Sequence, residues 1–417
     1  MKRFFLFAVM FIVLALLMWN LARIGQESKE FSSVQIQWRN DRTGIFNETG
    51  LLKSWHEDGP ELLWYFDDLG DGHSSVAVSN NRLYVAGMID NQGYLFVFDL
   101  AGNLLNKINY GSEWFRNYPG TRGTPTINDG KIYIISGMGD VICLDESSLN
   151  VIWQRNMLAD FDSRNIRWGI AESPLIIGDK LIVTPGGEVH NVVALNKNTG
   201  EMIWSSPGVG EPAAYCSPLY VGDLEVPLIA TKTAHHIIGL EAATGKLLWS
   251  FENRNRNQIH SNTPIYADNM ILFTSVDNGS TMLRLTDGGR NAEIAWKLDE
   301  LDNMQGGLIK IGDYLFGSSS GVWNRLWYCV KWETGEILYT DNEFGTAGVT
   351  IYADGMLYFY SDRGEMALVK PDTEKLNIVS RFRIEKGTGP HWAHPIIYNG
   401  VLYVRHGNAL MAYRIKD

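Results

Sequence analysis

From about residue 60 onward the apolar residues fall in short runs of four to six, rich in β-branched and aromatic side chains and broken by Gly, Asp and Asn. Runs of that length predict strands rather than helices. They recur in a fixed order. A small residue and a proline lead a first strand, as in residues 124–127 (TPTI), 173–177 (SPLII), 217–221 (SPLYV) and 263–267 (TPIYA). A Gly/Asp/Asn turn leads a second strand, and a glycine-rich turn leads a third, such as DVICLD or NVVALN. A Thr-Gly turn then leads a fourth strand carrying a large ring: Trp153, Trp204, Trp249, Trp296 and, as tyrosine, Tyr339. The rings are 43 to 51 residues apart, the length of one four-stranded propeller blade.

Blades are expected to start near His73, Arg122, Glu172, Tyr215, His260, Gln305, Ala347 and His394. The eighth has only three strands before Asp417. Residues 59–66, with their own Trp64, are expected to supply its fourth strand and close the ring, which removes open sheet edges. The fold class is therefore all-β: an eight-bladed β-propeller over 59–417, preceded by a lead-in at 24–58. The recurrent rings are read as packing between blades.

The first residues differ in kind. Lys2 and Arg3 precede an uncharged, apolar run from Phe4 to Trp19. Residues 1–23 are expected to be a signal-anchor or signal peptide. The positive end stays in the cytoplasm and the propeller is exported, to the periplasmic side of the inner membrane, or free in the periplasm if the segment is cleaved. No Cys follows the run, which argues against a lipid anchor.

The net charge of −11 argues against nucleic acid as a partner. The cysteines Cys143, Cys216 and Cys329 are far apart, form no metal-ligand spacing, and are read as small buried side chains.

The repeat, with S-P at its first strand and A-L…T-G…W at its end, resembles the repeat of pyrroloquinoline-quinone-type propellers. The resemblance extends to the lead-in from Trp38 to Trp55, to RWG at 167–169 and to HPIIYNGVLYVR at 394–405. These are similar to a group of exported bacterial propellers described as polyvinyl-alcohol-dehydrogenase-like, and to the propeller subunit of the outer-membrane protein assembly machine. The first resemblance implies a dehydrogenase using pyrroloquinoline quinone (PQQ) with Ca²⁺. The second implies a non-catalytic module that offers its rim loops to partner proteins.

In a propeller the first strands line the central channel, so residues just before them gather at one mouth. Those positions hold Arg122, Arg167, Trp168, Glu172, Tyr215, His260, His391, Trp392 and His394, with His73, Asn262 and Gln305 beside them. They are the candidate ligand site. Arginines there are expected to lower the Glu172 pKa, and the histidines to titrate near neutral pH. Glu172 and Asn262 are the candidate oxygen ligands for Ca²⁺. There is no Cys-Cys pair, C-x-x-C-H, G-x-S-x-G, P-loop or H-E-x-x-H, and His235–His236 would point to opposite strand faces. No catalytic residue, resident cofactor or metal is expected. The reading is a binding or scaffolding propeller of the cell envelope, with an envelope protein or a small polar ligand as partner. The alternatives are the PQQ dehydrogenase and a carbohydrate- or polymer-binding propeller using Trp168, Tyr215 and Trp392.

Overall fold

The computed structural model describes residues 37–320, 325–344 and 347–417. The expected export segment at 1–23 lies outside them. No helix among the described residues is long and apolar enough to cross a membrane.

Among the described residues the strands form eight sheets, seven of four antiparallel strands and one of five whose first pair is parallel. The first strands are short: Ala77–Ser79, Thr126–Asn128, Leu175–Ile177, Leu219–Val221, Ile265–Ala267, Ile309–Ile311, Gly348–Ala353 and Ile396–Tyr398. In the eighth blade Leu62–Phe66 pairs with Ala409–Arg414, Trp64 lying opposite Ala412, so one sheet joins the start and the end of the propeller. Helix is limited, among the described residues, to Met157–Asp160 and a 3₁₀ turn at Asp287–Gly289.

The fourth-strand rings explain two features of the repeat. Each faces a partner on the third strand: Trp153 opposite Cys143, Trp204 opposite Ala194, Trp249 opposite Gly239, Tyr339 opposite Cys329. In these four, small partners leave room for the ring, which accounts for two of the buried cysteines, whereas Trp296 faces Met282. The ring then covers the Thr-Gly turn of the next blade. Trp153 and Trp296 donate their ring N–H to the carbonyls of Lys197 and Trp332. A Cβ on Gly200 would sit 2.8 Å from Trp153, and one on Gly245 only 2.5 Å from Trp204. Both glycines have positive φ, so two separate demands select glycine there. Blade 1 carries Asn106 instead of a ring. In the turn of blade 2 that would face it stands Leu149, also at positive φ and buried against blade 1.

Around the axis, blades 1 to 4 are joined by hydroxyls from the small-residue-proline starts. The Ser75 N–H donates to Thr124 Oγ1, Thr124 N–H to Ser173 Oγ, and Ser173 N–H to Ser217 Oγ, at 2.8 to 3.0 Å.

The other side of the channel is joined by the lead-in. Residues Arg39 to Arg42 all have positive φ (56, 44, 53 and 69°), and the Arg42 N–H donates to Trp38 O and that of Gly44 to Arg39 O. This is one turn of left-handed helix, costing roughly 1–2 kcal/mol per residue. Ile45–Phe46 then pairs in parallel with the innermost strand of blade 7. The Arg39 guanidinium donates to Leu308 O in blade 6, Thr350 O in blade 7 and His394 Nδ1 in blade 8. Arg42 reaches blade 3, at Ser173 O and Pro174 O.

Candidate functional site

A cavity of about 320 Å³ opens at the mouth of the channel. Of the expected residues, Arg122, Trp168, Tyr215, Trp392 and His394 line it, with His73 and Gln305. Its walls are largely aromatic. Trp392 stands between His73 and Tyr118, with ring centres 5.0 and 5.1 Å away, and Trp168 meets Tyr215 at 5.9 Å. Arg167 is exposed outside the lining and lies 4.5 Å over Trp168. Trp38, from the lead-in, packs edge-on against His394 at 4.9 Å.

Three candidates turn away from the mouth. Glu172 is buried, one carboxyl oxygen accepting from the Thr184 N–H at 2.9 Å. His260 is buried between blades, donating to Ala234 O, with its Nδ1 2.8 Å from the Ser275 hydroxyl. His391 stacks on His406 at 3.6 Å and bonds the Tyr360 hydroxyl. The reason is strand alternation. Ala171 and Ser173, Tyr215 and Ser217, Ile259 and Ser261, Trp392 and His394 line the cavity in pairs two residues apart. The intervening Glu172, Cys216 and His260 face the other way, into the blade contacts.

The expected titration is also overturned. Burial raises the Glu172 pKa to about 7, and the Thr184 N–H and Arg42 offset this only in part. Glu113, held by Tyr110, Trp114 and Gly137 donors, is raised by burial to about 7 in the same way. Desolvation lowers His73 and His260 to about 3, His391 to about 4, and His394 well below its ordinary value. All four are neutral imidazoles rather than groups poised near pH 7. Arg122 donates to the carbonyls of Asn117, Tyr118 and Gly120, so its guanidinium shapes the Tyr118 loop while its charge reaches the cavity.

The candidate oxygen ligands do not suit Ca²⁺. Asn262 leaves its Oδ1 without a partner, but Glu172 turns into the blade contacts, accepts from the Thr184 N–H and lies near the cationic Arg42. Among the described residues no group of three or more His, Cys, Asp or Glu side chains is placed to hold a metal, whereas Ca²⁺ takes six to eight oxygens. His235 precedes the strand instead of lying in it. Its N–H and the His236 ring both bond Glu211.

Trp38, Tyr118, Met304 and the two lead-in arginines are missed by a reading confined to the residues before each first strand. Tyr118 leaves one trace in the sequence, the Pro119-Gly120 turn that follows it.

A family model described as outer membrane protein assembly factor BamB matches residues 36–341. A protein of that description from Moranella endobia (strain PCIT) is 23% identical over 315 residues, 70% of this chain and 74% of its own length. The crystal structure of BamB from Moraxella catarrhalis superposes with a TM-score of 0.60 at 15% identity, covering 85% of this chain and 99% of that one. Quinohemoprotein alcohol dehydrogenase from Comamonas testosteroni superposes with a TM-score of 0.68 at 13% identity, covering 92% and 80%. Likeness at these identities extends to the fold alone.

Proposed function

The chain belongs to the outer membrane protein assembly factor BamB family, and from that premise we propose that it is a non-catalytic binding module of the cell envelope whose aromatic mouth docks a partner of the outer-membrane assembly apparatus. The observation that carries this is the make-up of the mouth. Among the described residues its lining has aromatic faces, serines and one cation, Arg122, and no Asp, Glu, Lys or Cys. Its histidines are held neutral. Such a surface offers contact area and orientation, but no pair of groups suited to moving a proton or attacking a substrate. Export to the periplasm and attachment through residues 1–23 remain part of this reading.

The test is recovery of partners from gently solubilised envelope with the full chain. Wild type is expected to retain outer-membrane assembly proteins, and the Trp168→Ala/Trp392→Ala variant to retain at least tenfold less. Equal recovery by both would remove the mouth from the reading, and no assembly protein with either would remove the role itself. Incubated with PQQ and Ca²⁺, the chain is expected to show no dye-linked alcohol oxidation. Robust turnover would favour the dehydrogenase that shares its fold.

A further inference from the structure

Behind the mouth lies a second, much smaller cavity of about 20 Å³. Trp38 lines both. The small cavity is walled by Arg39 and Arg42 from the left-handed turn and by Asn262, Thr263 and Thr274 from blade 5. Its two guanidiniums are almost wholly buried, 3% and 6% exposed. Arg39 is occupied by the acceptors already described. Arg42 spends Nη2 on two carbonyls, while its Nε and Nη1 are buried without a partner, as is the Thr263 hydroxyl.

A buried cation is tolerated when a counter-charge or a full set of acceptors stands beside it. Neither arginine has a carboxylate within 4 Å among the described residues, where the ion pairs join other side chains. Glu172 and Asp41 act on Arg42 only at a distance, and Glu172 holds its own backbone bond instead. Two positive charges thus share a narrow space with unpaired donors.

We propose that this cavity binds a small monatomic anion, chloride in the cell, which joins the lead-in turn to blade 5. Size limits the choice. The volume admits about one water-sized body, which excludes sulfate, phosphate and carboxylates. Chemistry narrows it further, because two guanidinium N–H groups and a hydroxyl are donors. The Asn262 Oδ1, an unpaired acceptor in the same wall, sets the side from which the anion stands off. The anion thereby offsets the cost of placing Arg39 and Arg42 inside the ring.

The test uses the full chain and two independent readouts. Crystals grown or soaked in bromide should show an anomalous peak beside Arg42 Nε. Thermal unfolding should move up by several degrees when chloride replaces gluconate at constant ionic strength. Arg42→Gln should abolish that shift, and Thr263→Val, which keeps the cations and the shape, should reduce it. Glu172→Gln should leave it in place. A wild type with no bromide peak and equal melting in both salts would overturn the proposal. So would a shift of the same size in Arg42→Gln, which would mark a general salt effect.

Discussion

The two sides of the channel solve one problem by different means. Each first strand shows a bare edge to the axis. On blades 1 to 4, a serine or threonine of one blade accepts the N–H of its neighbour. On blades 6 to 8, one such hydroxyl remains among the described residues, Ser318 accepting the Gly348 N–H, and the lead-in adds a parallel strand and the Arg39 fork. The first arrangement is local and repeats with the blade. The second binds three blades through one segment distant in sequence, so that side of the ring depends on a part outside the repeat. Hydroxyl contacts are cheap to build and cheap to lose. A buried guanidinium serves several carbonyls at once, but leaves all of them unsatisfied when it is removed.

The largest expected effect is from removing residues 1–46 while keeping the closing strand at 62–66. The lost bonds, at about 1 kcal/mol each, and the lost packing of Phe46 together cost about 5 kcal/mol. Amide exchange should quicken at 309–311 and 348–353 and change little at 126–128 and 175–177. Uniform quickening would mean that the two sides are not separate. Next comes Arg39→Ala, expected to cost about 3 kcal/mol in chemical denaturation because carbonyls on blades 6 and 7 lose their donor.

A third effect probes Glu172, which stands where the lead-in touches the other side. Folded, its carboxyl titrates at about 7, against 4.5 as the ordinary value. Between those values the folded chain binds the extra proton. Stability from this group is therefore fully present below about 4.5 and declines as pH rises through 7, by about 3 kcal/mol. Comparing wild type with Glu172→Gln from pH 4 to 8 should show a decline steeper by that amount in wild type, because Glu113 contributes equally to both. A parallel pair of curves would remove the burial argument. The smallest effect is Ser173→Ala, which leaves the Thr124 N–H without its acceptor at a cost of about 1 kcal/mol. Combined with Arg39→Ala it should add within about 0.5 kcal/mol. Strong coupling would show that both sides share one network.

The repeat was legible because every blade restates it. Strand order, the rings and the glycine turns follow from spacing alone, and the first-strand positions expected at 124–127, 173–177, 217–221 and 263–267 begin only two residues early. The mouth was legible in part. Trp168, Tyr215, Trp392, His394 and Arg122 line it, but Glu172 and His260 differ from lining residues by a single step along an extended chain. Pooling neighbours hides that alternation. The lead-in was not legible in structure at all. Four consecutive non-glycine residues in a left-handed turn run against intrinsic preference, and only their bonds to distant blades hold them there. The pKa directions failed for a related reason: burial outweighed the charges nearby.

The ring-over-glycine contact has a consequence for how such a chain can grow. Blades 3 and 4 each end in a tryptophan and each carry glycine in the turn that a preceding ring covers. Either could be copied in tandem and still fit its own duplicate. Blade 2 could not be placed behind a tryptophan-bearing blade, because Leu149 fills the space that the ring would need. Blade order is thus written as a matching rule between neighbours. Duplication is open at some joints of the ring and closed at others.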